Sequence, residues 1–479
     1  MTTVTPRVGY RSLLRNRFFL RLWLAQLISQ TIQNAANYGL LVLIAELTRS
    51  STLIGLAIIS FSVPAVLFGV PAGVLVDRIN RRQVLWISNV LRGFCTLGFV
   101  LNLVIDPHDV LPIYILTFVI AAISQFFTPA EGAAIPLLVD ERELVNALSL
   151  FNITFTLAQA LGFIVLGSVI VNVVPPIPLS LGSFSTVFNP VQVLYVIIGL
   201  AYFLCAGLIL LIPNRLFVVE RASMAASHSL ARVKSALGEV WESWRFTYSN
   251  RHLLIAVFQL SFAGVLLLVI GQLSPIFVQQ LLNRPPTNSA LVFVPAGIGL
   301  VLGSVVMPRV VKRLGKARSI SAGIIGLSVT SVLLVICQQV ASQIDPAHWY
   351  NDWLFLGLIM ALIFALGCEL DLMNLPALTL IQEETPDAMK GRVLSLQLLV
   401  YNAASIPVIL FMGGIADIYN IATVMWVLAG MVFVGGLFSV YLDSRVGAKH
   451  SNRQKSPSSV TRKDASGGER ELEPLNILL

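Results

Sequence analysis

Gly73-Val74-Leu75-Val76-Asp77-Arg78-Ile79-Asn80-Arg81-Arg82 is a charged block set between two apolar runs. Apolar residues lead into it from Thr52 to Val76 and away from it from Gln83 to Ile105. Each run exceeds the roughly 20 residues that carry a helix across a bilayer. The block therefore reads as a tight turn between two membrane-spanning helices. Its three arginines place the turn on the cytoplasmic side, where Lys and Arg accumulate.

Composition points the same way. The chain has 479 residues, 56% hydrophobic and 12% charged. A soluble protein carries about 25% charged residues, so lipid is the expected solvent for most of this surface. The net charge of +8 does not indicate nucleic acid, because the basic residues fall between apolar runs rather than on one face. Cys95, Cys205, Cys337 and Cys368 all lie inside apolar runs without CxxC spacing, and the histidines show no HExxH. Neither a disulfide framework nor a metal site is indicated, and no cofactor is expected. The absence of GxxxxGK[ST] argues against ATP-driven transport by this chain alone, and without a nucleophile motif it is expected not to be an enzyme. The basic N-terminus precedes a long, polar-studded apolar run, which is not the pattern of a cleavable signal peptide.

Outward from the turn, the chain reads as an all-α membrane protein with 12 transmembrane helices. A basic arm (1–17) precedes a six-helix bundle (18–213). A linker (214–252) follows, then a second six-helix bundle (253–443) and a tail (444–479) that is polar, Ser-rich and expected to be disordered. In the linker, Leu230, Val233, Leu237, Val240, Trp241 and Trp244 recur at helical spacing among charged residues, as in a helix lying at the membrane surface. With both termini cytoplasmic, only Arg49 and Arg284 of the 32 Lys and Arg fall outside, and Arg92 lies within helix 3. That asymmetry is a strong positive-inside signal.

The two halves repeat. Pro129-Ala130 leads through an acidic segment into Ala147-Leu148-Ser149-Leu150; Pro376-Ala377 leads through a second acidic segment into Val393-Leu394-Ser395-Leu396. Gly73 has a counterpart in Gly303, ahead of Arg309, Lys312 and Arg313. Two halves in the same orientation are a known plan for secondary transporters.

On these residues the sequence resembles the major facilitator superfamily, whose signature joins helices 2 and 3 by a Gly, then Asp-Arg, then two basic residues. Asn80 stands where Gly is usual, and Asn tolerates a left-handed turn. Phe126-Phe127-Thr128-Pro129-Ala130, Ile135-Pro136-Leu137-Leu138-Val139 and Asn146-Ala147-Leu148 are similar to the bacterial branch that exports drugs, macrolides and siderophores. The resemblance implies a multi-pass protein of the plasma (inner) membrane, acting as a monomer on a small-molecule substrate, with a proton as candidate co-substrate. Proton antiport stays an expectation, because helix 5 lacks the usual Gly-Pro pair and Met307-Pro308 replaces Asp-Arg in the second half.

Three groups of residues are candidates for function. Gly73, Asp77, Arg78, Arg81, Arg82, Glu131 and Arg392 would form a cytoplasmic gate, Asp77 capping helix 11 near Arg392 and Arg81 pairing with Glu131 in the outward-open state; the plain alternative is topology alone. Arg92 would snorkel or pair with Glu131. Glu369 and Asp371 in helix 10 are proton-coupling candidates, since a buried carboxylate in a membrane is a functional hypothesis by default. About 200° separates them around a helix, so only one should face a cavity. Gln26, Gln30, Gln33, Asn34 and Asn37, with Phe126, Phe155 and Tyr401, are candidates to line a path for a bulky, weakly charged amphipath. For the amides the alternative is helix–helix hydrogen bonding. The functions weighed are export of such a molecule, flipping of a lipid or lysophospholipid, and a transporter-like receptor.

Overall fold

The computed structural model describes residues 10–76, 79–181, 184–217, 238, 241–344, 349, 352–386 and 389–454. After a short helix, Tyr10–Arg15, the first half comprises α1 (Arg17–Thr48), α2 (Ser51–Val76), α3 (Arg81–Ile105), α4 (Leu111–Leu138), α5 (Leu144–Ala160) and α6 (Pro190–Leu210). The second half comprises α7 (Arg251–Gln280), α8 (Ala290–Leu314), α9 (Lys316–Ile344), α10 (Trp353–Glu384), α11 (Lys390–Ile418) and α12 (Ile421–Gln454). Among the described residues, ten helices are long and apolar enough to cross a membrane. α1 is not among them, because its glutamines and asparagines dilute its apolar character; α12 contributes an apolar stretch, Ile421–Leu437.

Local chemistry sets the boundaries. Asn16 caps α1, its Oδ1 accepting from the N–H groups of Phe18 and Phe19 at 3.1 and 3.3 Å. Arg49 ends α1 in a left-handed conformation (φ 55°). α3 starts at Arg81, two residues before the expected Gln83, because Asn80 caps it. The left-handed turn expected at Asn80 is not formed: φ is −61°, and its Oδ1 accepts from Arg82 N–H at 3.0 Å. Asn serves here as an N-cap, a role glycine could fill less well. α4 continues to Leu138, past the expected Ala134. α5 passes through a π-helical turn, Leu161–Gly167, into the helix Ser168–Val173. Glycine is required at that turn: a Cβ on Gly162 would lie 2.5 Å from Thr31 O of α1. The Pro/Ser-rich loop after it contains a hairpin, β1 (Ile177–Leu181) against β2 (Phe184–Phe188), with Ile177 opposite Phe188. α12 runs on to Gln454, so residues 444–454 are helical; the tail beyond lies outside the described residues.

Two ends of the bundle can be told apart. The basic end carries the 79–82 turn, the starts of α1, α7 and α11, and the end of α10. The far end carries the α1–α2, α7–α8 and α11–α12 turns. The largest hydrophobic core draws on both halves toward the far end, including Tyr38, Ile54 and Ile58 with Leu273, Phe277, Ile409 and Met412. At the basic end the cores are separate. One, around Phe19, Leu85, Phe127 and Phe217, belongs to the first half. The other, around Leu253, Val257, Ile381 and Val393, belongs to the second. Polar bonds follow this division. Tyr38 Oη and Asn172 Nδ2 both donate to Thr287 O across the halves, at 2.8 and 2.9 Å. At the basic end, Asn16 Nδ2 donates to Leu138 O at 2.7 Å and Arg82 Nη2 to Leu210 O at 2.7 Å, both within the first half. Lys316 pairs with Glu383 within the second half.

Of the expected linker helix, residues 230–237, 239 and 240 lie outside the described residues. Residues 241–249 are helical. Ser243 and Thr247 are buried, and Phe246 packs on the basic-end core of the second half. Trp241 and Tyr248 stay 70% and 67% exposed on another face.

Candidate functional site

α3 places Ser88, Asn89, Arg92 and Thr96 at spacings of three and four, and all are buried. A polar row on a helix in hydrocarbon has to turn toward protein. Arg92 does not snorkel: it is 2% exposed. Its Nη2 donates to Asn89 Oδ1 at 2.8 Å and its Nε to Ser88 O at 3.4 Å. The guanidinium carbon lies 4.4 Å from the Phe127 ring centroid and 4.8 Å from that of Tyr202. Aromatic faces from α4 and α6 thus replace water around the cation. Tyr202 extends the network to α1, its hydroxyl donating to Gln33 Oε1 at 2.9 Å. Gln33 Nε2 in turn reaches Asn37 Oδ1 at 3.5 Å.

Glu131 lies one helical turn beyond Phe127 and so on the same face of α4. It is buried, and its Oε1 has no hydrogen-bond partner among the described residues. Arg92 acts on it electrostatically, but among the described residues no direct ion pair joins them. Arg81, expected to meet Glu131 in an outward-open state, is half-buried here, and its Nε has no partner among the described residues. Asp77 and Arg78 lie outside the described residues. Gly73 is half-buried, with open space where a Cβ would stand. Arg392 pairs with Glu242 of the linker helix at 3.3 Å.

The helix 10 carboxylates diverge as the helical angle requires. Glu369 Oε1 accepts from Thr330 Oγ1 of α9 at 2.8 Å, beside Gly326. Asp371 turns to α8, where a Cβ on Gly303 would stand 3.1 Å from its Oδ2. Glu369 Oε2 and Asp371 Oδ2 are both buried without partners. Thr330→Val removes the one donor to Glu369 among the described residues, so we expect a loss of about 1–3 kcal/mol of stability, measured as a lower unfolding midpoint in detergent.

The amide stripe of α1 splits between neighbours. Gln26 is buried with its Oε1 unpartnered, Gln33 is taken up by Tyr202, and Asn34 packs against the π turn at Gly162 while its Nδ2 donates to Gln30 O at 2.8 Å. The Gln33 bond joins two helices, and the Asn34 bond stays within α1. Phe126 packs against the basic-end core, Phe155 is exposed, and Tyr401 covers Gly264 of α7. A largely apolar cavity of about 60 Å³ lies inside the second half, between α7, α9, α10 and α12, with Ser274 and Ser331 among its walls. Tyr202, Asn89 and Phe127 were not singled out from the sequence, although the polar row of α3 that leads to them was legible.

The chain is 22% identical over 393 residues to YfiS, an uncharacterised MFS-type transporter of Bacillus subtilis, covering 81% of this chain and 84% of that protein. It is 28% identical to macrolide efflux protein A of Streptococcus pyogenes over 131 residues, 27% of this chain and 32% of that one. Among solved structures, a bacterial homologue of the iron transporter ferroportin in an inward-facing state superposes with a TM-score of 0.66, at 14% identity over 90% of this chain and 99% of that one. The nucleoside transporter NupG superposes with a TM-score of 0.65, at 13% identity over 88% and 98%. The sequence pattern of the Major Facilitator Superfamily matches residues 22–408. With that match, its paired six-helix halves and its membrane-length helices, the chain belongs to the Major Facilitator Superfamily and has the fold of its transporters.

Proposed function

We propose that this transporter exports a small amphipathic molecule by alternating access, with its basic end in the cytoplasm of a cell whose plasma (inner) membrane it spans. The observation that carries the reading is the division of the hydrophobic core. The halves share one core at the far end and keep separate cores at the basic end. Two rigid bodies joined at one end can rock about that join, which is how parallel-repeat carriers expose a central site to one side at a time. Under the positive-inside rule the basic end is cytoplasmic, so the state described here opens inward. Export, rather than uptake, is favoured by the partial likeness to a macrolide efflux protein.

Proton coupling is the finer part of the proposal. Asp371 is placed ahead of Glu369 as the coupling carboxylate, because a hydroxyl from α9 already holds Glu369. The basic-end gate of Asp77, Arg81, Glu131 and Arg392 belongs to the opposite, outward-open state, in which Arg81 would reach Glu131. The linker helix, with Trp241 and Tyr248 exposed, suits the headgroup layer, where aromatic rings are favoured.

Drug and siderophore accumulation tests this reading in cells carrying the parent, Glu369→Gln or Asp371→Asn, with and without a protonophore. The parent is expected to lower accumulation. Asp371→Asn and the protonophore should each abolish the effect, and Glu369→Gln should weaken it less. No change across the panel would remove drug export and move lipid substrates forward.

A further inference from the structure

At the far end, one carboxylate and one amide tie the two halves together. Asp417 closes α11. Its Oδ2 accepts from the Ser50 hydroxyl at 2.7 Å and from Thr52 N–H at 3.0 Å, and its Oδ1 accepts from Ser51 N–H at 2.5 Å. Ser51 and Thr52 are the first residues of α2. Their N–H groups have no partner within the helix, and the positive end of the helix dipole favours a carboxylate there. The N-terminus of this first-half helix is therefore capped twice, by its own Ser50, whose Oγ accepts from Leu53 N–H at 3.2 Å, and by a carboxylate from the second half.

Gln272 of α7 braces the same join. It is fully buried, and its Nε2 donates to Ser51 O of α2 and to Ile409 O of α11, each at 3.0 Å. One side chain thus spans both halves and three helices. Its space exists because two neighbours are glycines. A Cβ on Gly55 of α2 would lie 2.7 Å from Gln272 Nε2; one on Gly413 of α11 would lie 2.7 Å from the same atom and 2.9 Å from Thr52 Cα.

We propose that Asp417 and Gln272, seated on Gly55 and Gly413, form the far-end gate: a latch that is closed in the state described here and releases once in each transport cycle. The inference rests on the alternating-access reading and adds the groups that hold one end shut. α2 and α11 run antiparallel, and Asp417 at the end of α11 meets the first residues of α2.

Cysteine accessibility in whole cells tests the latch. The parent background replaces Cys95, Cys205, Cys337 and Cys368 and carries Ile58→Cys, a reporter buried in the shared far-end core. A membrane-impermeant maleimide is added from outside. Asp417→Asn keeps the shape but loses charge-assisted bonds, and is expected to speed labelling about tenfold or more. Gly413→Val wedges the same join without touching the carboxylate and is expected to do likewise. If Asp417→Asn is lost from the membrane, Gly413→Val decides alone. Labelling rates equal to the parent in every variant that reaches the membrane would overturn the latch. Faster labelling in a chain whose parent moves no solute in the accumulation panel would keep the latch and overturn only the transport reading.

Discussion

Arg92→Met is expected to destabilise the protein by about 1–3 kcal/mol, the cost of leaving buried polar groups without the donor they now have. Arg92 is enclosed by Asn89, Phe127 and Tyr202 and is the cation that acts on Glu131. Without it, Asn89 Oδ1 and the faces of Phe127 and Tyr202 lose their partner. Replacing both charges should behave differently. Arg92→Met with Glu131→Leu fills the same interior with apolar groups, and such exchanges are often neutral or stabilising. The double variant is therefore expected to recover most of the loss, with a coupling of about 1–3 kcal/mol between the sites. Unfolding midpoints of the four proteins in one detergent give that number. Additive losses would mean that Arg92 serves the aromatic cage and leaves Glu131 alone. Accumulation assays on the same proteins separate stability from transport: a stable but inactive double variant would place the pair in the cycle rather than in the scaffold.

The fold was almost wholly legible in the sequence, for a physical reason. A bilayer demands that each crossing segment satisfy its own backbone, so a span must be a long apolar helix with its charges at the ends. The runs flanking Asp77 to Arg82 announce α2 and α3 to within two residues of their observed limits. Pro129-Ala130 and Pro376-Ala377 announce the repeat. The site was legible only in composition. Gln26, Gln33 and Asn34 are visible as one polar stripe, but which neighbour each faces depends on α5 and α6 packing beside α1. That packing in turn needs a π-helical turn at Leu161–Gly167, which no apolar periodicity encodes. Asp417 and Gln272 carried a usable signal: a carboxylate at the end of an apolar helix and an amide inside another. Topology drew attention to the basic end instead, because the positive-inside rule counts cations and is silent about acids.

Gly367→Val is expected to abolish the folded second half, and Gly299→Val to do the same. A Cβ on Gly367 would lie 2.2 Å from Ala296 O and 3.0 Å from Leu300 N; one on Gly299 would lie 2.2 Å from Phe364 O and 3.1 Å from Phe364 C. Every obstacle is backbone of a facing helix, so no rotamer change relieves it. α8 and α10 would have to part by about 1 Å along a packed crossing. Overpacking in ordinary cores costs about 1–3 kcal/mol, and here the rigid backbones leave only the upper end of that range or beyond. Gly357, also on α10, has open space where a Cβ would stand, so Gly357→Val is the benign control. Size-exclusion profiles of the three detergent-solubilised variants give the result, with loss of the monodisperse peak expected for the first two alone. A monodisperse Gly367→Val with the parent's melting point would show that α8 and α10 do not cross here. The crossing also bears on transport. Asp371 is one turn from Gly367, and Gly303, against which it rests, is one turn from Gly299. The close approach that only glycine allows is what presses the Asp371 carboxylate against a neighbouring helix. Gly367→Ala, if it folds, should loosen that contact and reduce transport while the membrane level of the protein is kept, and the accumulation assay measures that split directly.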